Sequence, residues 1–348
     1  MAEILVYGTT VLSFGAVGDG VTDDTEAFRA AFASGESLIV VPYGKGTYVI
    51  KQPLTLPSGV ILECHERATI RFAGIQAAPS AQNIRIRGGR WEMTESGTDA
   101  AFRFSDAHGV TLEKVQISGS APSLLCFDGC SDICLEELRF RADKGSAGLR
   151  FCGANDNITL RGLTAKKTAA AIEFMPSAVV SNFVGFDMHA NNCARILSAN
   201  GAALDNCRLD TVRGDASEQA IDFCGCTFNK VSIRHCSLCD TYIRLADNRF
   251  LSFHMADFVR ENDLEADISA HTLTISGSDA VVICDGIDLD SLIHAKKLSP
   301  KSKATFARMY STAMEKHIYT TEITLGKHES YVFSSGGFEA LEIFEPRT

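Results

Sequence analysis

The amino-acid sequence predicts an all-β protein, a single-domain right-handed parallel β-helix (solenoid) with an N-terminal capping helix. Three observations carry that expectation. Short β-like runs punctuated by Gly, Asn, Asp and Ser fill the chain from about residue 60 to about 285, with no convincing helical periodicity among them. Within those runs an apolar–charged–apolar segment returns at steps of roughly 22 to 27 residues, the range of stacked solenoid coils. Ahead of them, one helical stretch at about 24–33 follows a Gly-rich turn.

The repeating segments are "AFRF", "LLCF", "GLRF", "AIEF", "ARI", "AIDF" and "YIRL", ending at Phe104, Phe127, Phe151, Phe174, Ile196, Phe223 and Leu245. Each is followed by a second β run such as "GVTLEKVQIS", "DICLEELRF" or "NITLRGLTA". Two or three strands per turn, stacked about 4.8 Å apart, would make a rod on the order of 50 Å from around ten coils. A β-sandwich would show shorter spacings and NG or DG turns instead. Length by itself suggests two or three domains, but a repeat fold grows as one unit. The expected division is therefore a β-helix with its cap over 1–290 and a C-terminal cap or oligomerisation segment over 291–348.

The N-terminal stretch "FGAVGDGVTDDTEAF" packs three aspartates and a glutamate into eight residues. Asp23 reads as an N-cap with Glu26 as its reciprocal partner, an aspartate version of the capping box. Ala27, Phe28, Ala31 and Phe32 then share one helical face, suited to plug the open end of a coil stack. The acidic cluster is expected to be architecture, and a metal or substrate role is the alternative.

Composition bounds the partners. A net charge of −10 argues against nucleic acid but leaves an acidic glycan open. No window reaches the roughly 18 apolar residues of a membrane span, and the first residues lack the pattern of a signal peptide. With 12 irregularly spaced cysteines, reduced thiols and a cytoplasmic location are expected. The expected partner is a carbohydrate, with no nucleic acid, no membrane and a homo-oligomer as an option; no cofactor or metal is expected.

"FGAVGDGVTDDTEAF", followed by "SLIVVPYGKGTYVI", "PLTLPSGVILE" and "GGRWEM", resembles the N-terminal part of the pectate-lyase-like right-handed β-helix superfamily. That superfamily includes polygalacturonases, lyases, epimerases and phage tailspike depolymerases, and the resemblance implies its fold and a carbohydrate-active, glycoside hydrolase-like function. The coil rhythm is most similar to the polygalacturonase branch, whose catalytic motifs lie on successive coils. Where its Asn-Thr-Asp would stand the sequence has Gly145, Ser146 and Ala147. Its paired aspartates fall on Ala169 and Ala170. Asn191, Asn192 and Cys193 occupy its Gly-His-Gly place, and Asp222, Phe223 and Cys224 its Arg-Ile-Lys place. An inverting hydrolase needs an acid and a base, and alanine is neither.

Period-two alternation places Arg103, Cys126, Arg150, Glu173, Arg195, Asp222 and Arg244 outward in one column. As structure, this is a salt-bridged ladder worth about 0.2–1 kcal/mol per pair. As a site, Glu173 and Asp222 are the candidate acid and base, two coils or about 9.5 Å apart along the axis. Arg150, Arg195, Arg244 and Lys167 are the candidate substrate-binding residues. A lyase or epimerase would instead use a base such as Arg139, Arg141, Lys166 or Lys167; a non-catalytic glycan-binding or assembly protein would use none. Cys224, Cys226, Cys236 and Cys239 have zinc-like spacing but would point apart on different strands. Asp187 and His189 share a strand face, with His254 further on, and no nucleophile is paired with them. Near the C-terminus, "SPKSKATFARMYSTAMEKH" reads as a basic helix started by Ser299 or Ser302, and the segment after it as one or two β hairpins.

Overall fold

The structure, a computed structural model, describes residues 8–44, 46–94, 98–142, 145–214 and 221–234 in full and, elsewhere, the backbone of the strands named below. The chain divides into two compact units, Met1–Ala169 and Ala170–Thr348. Each is built of parallel coils, and the fold is a parallel β-helix.

In the first unit one sheet runs through β1 (Leu54–Leu56), β2 (Ile75–Ala77), β3 (Ala100–Ser105), β4 (Ser123–Asp128) and β5 (Ala147–Cys152), all parallel. The remaining strands of each coil pair parallel in the other sheet, for example His108–Glu113 with Ser131–Ala142 and the latter with Ala154–Lys166. Equivalent residues of successive coils stack. Phe104, Phe127 and Phe151 are in register and fully buried, with ring centroids 5.2 and 6.0 Å apart. Val110, Ile133 and Ile158 form a second buried stack. Burial of such side chains stabilises by about 1.5–3 kcal/mol each, so the repeating Phe is what locks one coil onto the next.

Corners between strands are made by single residues in the left-handed conformation, which explains the Asn, Asp and Gly punctuation. Asn83, Asp132 and Asn157 hold φ near +54° on one corner, and the Asn157 side-chain amide donates to the Asp132 carboxylate of the coil before it. These short polar side chains tolerate that region better than others. At Gly88 (φ +72°) a Cβ would lie 2.2 Å from the Cys64 carbonyl oxygen, so that corner admits only glycine.

Helix α1 (Thr25–Ala33) closes the N-terminal end, with Ala27, Phe28 and Ala31 buried and Phe28 edge-on to Tyr48 at 5.8 Å. Its capping differs from the sequence expectation. Asp24 holds the N-cap position but makes no side-chain bond to the helix; it is 1% exposed and accepts from the backbone N–H of Val17 (2.6 Å), Gly18 (3.3 Å) and Val49 (3.1 Å). Asp23 accepts from the N–H and hydroxyl of Thr25. Glu26 does not reach back; it pairs with Arg29 at 2.6 Å. Three orphan loop and strand donors outbid the helix for the buried carboxylate, because leaving them unmet costs more than an exposed helix end that water can serve. The cluster is architecture, as expected, by a different set of bonds.

The second unit has a parallel sheet of its own in β6 (Ala170–Phe174), β7 (Arg195–Asn200), β8 (Gln219–Cys224) and β9 (Tyr242–Ala246). Ile172, Leu197 and Ile221 stack and are buried. Here the expected register fails at one coil, by three residues. "ARI" is not the equivalent of "AIEF": Ala199, not Ile196, stands beside Phe174 and Phe223. Ile196 and Leu197 are both buried, so the strict alternation that assigned the faces is broken at the start of β7.

The C-terminal segment is also corrected. Residues Lys303–Ser311 form a strand antiparallel to Lys316–Thr324, not a helix; Ser299 and Ser302 lie outside the described residues. Ala, Arg and Met are good helix formers, but intrinsic propensity is a weak prior, and Phe306 lies opposite Thr321 and Ala304 opposite Ile323 in the β-branched partner. Non-local pairing decides. The expected hairpin is present as Ser330–Ser334 with Gly337–Ala340.

Candidate functional site

Outward-facing residues of the β1–β5 sheet form the polar face of the first unit. Register places Thr55, Gln76, Arg103, Cys126 and Arg150 in one column and Ser105, Asp128 and Cys152 in the next. Arg103 donates to Ser105 at 3.2 Å and to the Asp128 carboxylate at 2.8 Å. Arg150 donates to the Pro122 carbonyl at 3.1 Å, and Gln76 to the Thr55 hydroxyl at 3.3 Å. A cavity of about 280 Å³ opens on this face, lined by Pro53, Gly74, Gln76, Thr98, Asp99 and Arg103 among others. It offers a guanidinium, a carboxamide, a hydroxyl and a carboxylate, a donor and acceptor set suited to a hydroxylated ligand.

This pocket was not legible as a site. Gln76 and Arg103 lie on different strands, and Thr98 and Asp99 enter from the loop before β3. Only the Arg103 column position pointed to it. The pairing of Cys152 with Cys126, described below, was also missed, because Cys152 stands two residues past the column.

In the second unit the column reads Glu173, Ser198, Asp222 and Arg244. Glu173 and Asp222 thus stand in register two strands apart, about 9.5 Å by strand spacing, with Ser198 between them. Arg195 is not in the column; it lies beside Ala170 and Gln219. Its side chain nonetheless reaches diagonally, its Nε 3.0 Å from Asp222 Oδ2, with the Asp222 side chain 11% exposed. Arg244 neighbours Asp222 by backbone register, and its side chain lies outside the described residues. Lys167 is exposed at a corner with φ +57°.

Other sequence candidates separate. Ser146, Ala147 and Ala170 are buried. Asp187 takes a left-handed φ of +53°, so it does not share a face with His189 by simple alternation, and the His254 side chain lies outside the described residues. Cys224 is half-exposed whereas Cys226 is buried and donates to the Cys224 carbonyl at 3.2 Å; burial pushes the Cys226 thiol up to about 11. The side chains of Cys236 and Cys239 lie outside the described residues. No group of three His, Cys, Asp or Glu that could hold a metal ion occurs among the described residues, and no described helix is long and apolar enough to cross a membrane.

The family described as rhamnogalacturonase A/epimerase, pectate lyase-like, matches residues 8–203. The chain belongs to this pectate-lyase-like family. Its β-helix is therefore of a carbohydrate-related kind, and Glu173 lies inside the matched span while Asp222 lies beyond it. Among solved structures, the hyperthermoactive exopolygalacturonase of Thermotoga maritima is 14% identical, covers 96% of this chain and 95% of its own, and has a TM-score of 0.51. Tailspike protein 3 of bacteriophage CBA120 is 12% identical over 87% of this chain and 57% of its own, also at 0.51. These likenesses show the fold. The pre-neck appendage proteins of the Bacillus phages PZA and phi29 are each 43% identical over 60 residues, 17% of this chain. The match spans 7% of the length of those relatives.

Proposed function

We propose that the protein is a glycoside hydrolase-like β-helix that takes an acidic oligosaccharide or polysaccharide on the outer face of strands β6–β9. The observation that carries this reading is the in-register placement of Glu173 and Asp222 on strands two apart, with the Arg195 guanidinium on Asp222. A separation of about 9.5 Å lies at the upper end of the roughly 6.5–9.5 Å that leaves room for an attacking water in an inverting hydrolase. Asp222, fixed in orientation by Arg195, serves as the base that activates water. Glu173 serves as the acid. Arg195 and, beside Asp222 in the column, Arg244 supply cations for uronic carboxylates.

A second reading, glycan binding without turnover, is favoured by the low exposure of the Asp222 side chain within its ion pair. One experiment separates them: mass spectrometry of products after incubation with neutral and uronic-acid oligosaccharides, beside Glu173→Gln and Asp222→Asn. Water-added fragments lost in both variants support the hydrolase. Unsaturated fragments lacking the added water indicate a lyase. Binding by calorimetry with no product in any arm supports the second reading.

A further inference from the structure

The outer face of the first unit carries a chemical feature that sugar recognition does not use. Cys126 on β4 and Cys152 on β5 are diagonal neighbours, since Cys126 is in register with Arg150 and Cys152 with Asp128. Their sulfurs lie 3.8 Å apart. Cys126 is 2% exposed, and Cys152 is half-exposed. The charged groups around the pair are Arg103, in register with Cys126 on one side, Arg150 on the other, and Asp128, which is held by Arg103 at 2.8 Å. Most of the other described cysteines are buried fillers: Cys64, Cys130, Cys193, Cys207 and Cys226.

We propose that Cys152 is a thiol-modification site that undergoes exchange with low-molecular-weight disulfides bearing carboxylates. The two thiols share a hydrogen bond in which Cys126, the buried member, is suited to keep the proton, and the two guanidinium groups favour negative charge on Cys152. Together these bring Cys152 down to about 7, the hydrogen bond being the larger cause, with burial and Asp128 opposing. Cys126 moves the other way, held as the protonated partner first by the same bond and then by burial. Near neutral pH a thiol of this kind is substantially thiolate and a good nucleophile. The positive charge of Arg103 and Arg150 also attracts an anionic disulfide.

In the exchange step the Cys152 thiolate attacks one sulfur of the disulfide. A new S–S bond forms, the old one breaks, and the leaving thiolate carries away the electron pair. No further oxidant is needed. The product rests as a mixed disulfide, because closing a bond to Cys126 is geometrically opposed. Diagonal positions on parallel strands place their Cα atoms about 8 Å apart, from about 4.8 Å between strands and about 6.6 Å along them, beyond the roughly 7 Å that a disulfide spans without backbone movement.

The test uses the full-length reduced protein, oxidised glutathione as the probe, and intact-mass and peptide mapping over a pH series from about 6 to 9. The expected result is one early adduct, mapped to Cys152, reversed by a dithiol reductant, with a rate that rises through a midpoint near 7. Cys152→Ser abolishes the early adduct. Cys126→Ala leaves the thiol in place, slows labelling near neutral pH by about tenfold and moves the midpoint upward; Trp91 fluorescence confirms that both variants are folded. The half-exposed Cys134 and Cys224 serve as internal controls and label slowly. The proposal is overturned if another cysteine labels first, if the early adduct survives Cys152→Ser, if Cys126→Ala leaves rate and midpoint unchanged, or if the product is a Cys126–Cys152 disulfide.

Discussion

Replacing Asp24 by alanine tests whether the N-terminal acidic cluster is architecture. Its carboxylate is almost fully buried and accepts three backbone N–H bonds, from Val17 at 2.6 Å, Gly18 at 3.3 Å and Val49 at 3.1 Å. Alanine leaves three donors unmet in a site that water enters poorly. At about 1–3 kcal/mol for each orphaned group, and with the part-buried N–H of Val17 and Val49 recovering some hydration, the loss is about 3–6 kcal/mol. The assay is urea unfolding followed by the fluorescence of the sole tryptophan, Trp91. That residue is buried in the first unit, edge-on to Phe72 and Phe102 at 5.6 and 5.2 Å. With an m-value of about 2 kcal/mol/M the midpoint falls by about 1.5–3 M. The same change at Asp19, which holds an exposed turn through Val21 and Thr22, leaves the midpoint nearly unmoved. A midpoint unchanged in Asp24→Ala, together with loss of sugar turnover or binding, would refute the architectural assignment.

Two further outcomes follow from the same region. Gly88→Ala must place a Cβ against the Cys64 carbonyl oxygen at 2.2 Å with φ at +72°, so it lowers stability by about 3 kcal/mol or more, read by the same fluorescence midpoint. Acid sensitivity is the second. The Thr25 hydroxyl holds the Asp23 carboxyl below its ordinary 3.8. A depressed folded-state value gives stability that is present above the unfolded value and lost as pH falls through the folded one. Stability of the first unit therefore declines below about pH 4, and in Asp23→Asn the decline is shallower; an unchanged acid limb in that variant would contradict the assignment.

The sequence by itself determined the coil. An apolar segment returning every 22 to 27 residues and most often ending in Phe, flanked by Asn, Asp and Gly at corners, has one economical solution: like residues stacked on like, with left-handed corners that few other residues tolerate. Phe104, Phe127 and Phe151 stack as the repeat requires, and the Arg103, Cys126, Arg150 column follows. Only the tertiary structure decided what periodicity cannot encode. At β7 two consecutive apolar residues, Ile196 and Leu197, are both buried, and a two-residue period has no way to say which of them takes the core position. Arg195 consequently meets Asp222 diagonally rather than along the column. Asp24 displaced Asp23 as the key carboxylate because its partners come from Val17, Gly18 and Val49, the last 25 residues away. At Lys303–Ser311 local preference favoured a helix, and pairing with a strand further along the chain overruled it. Stacking is written in the repeat; which side chains meet across strands depends on register, and register is fixed by the packing of the whole coil.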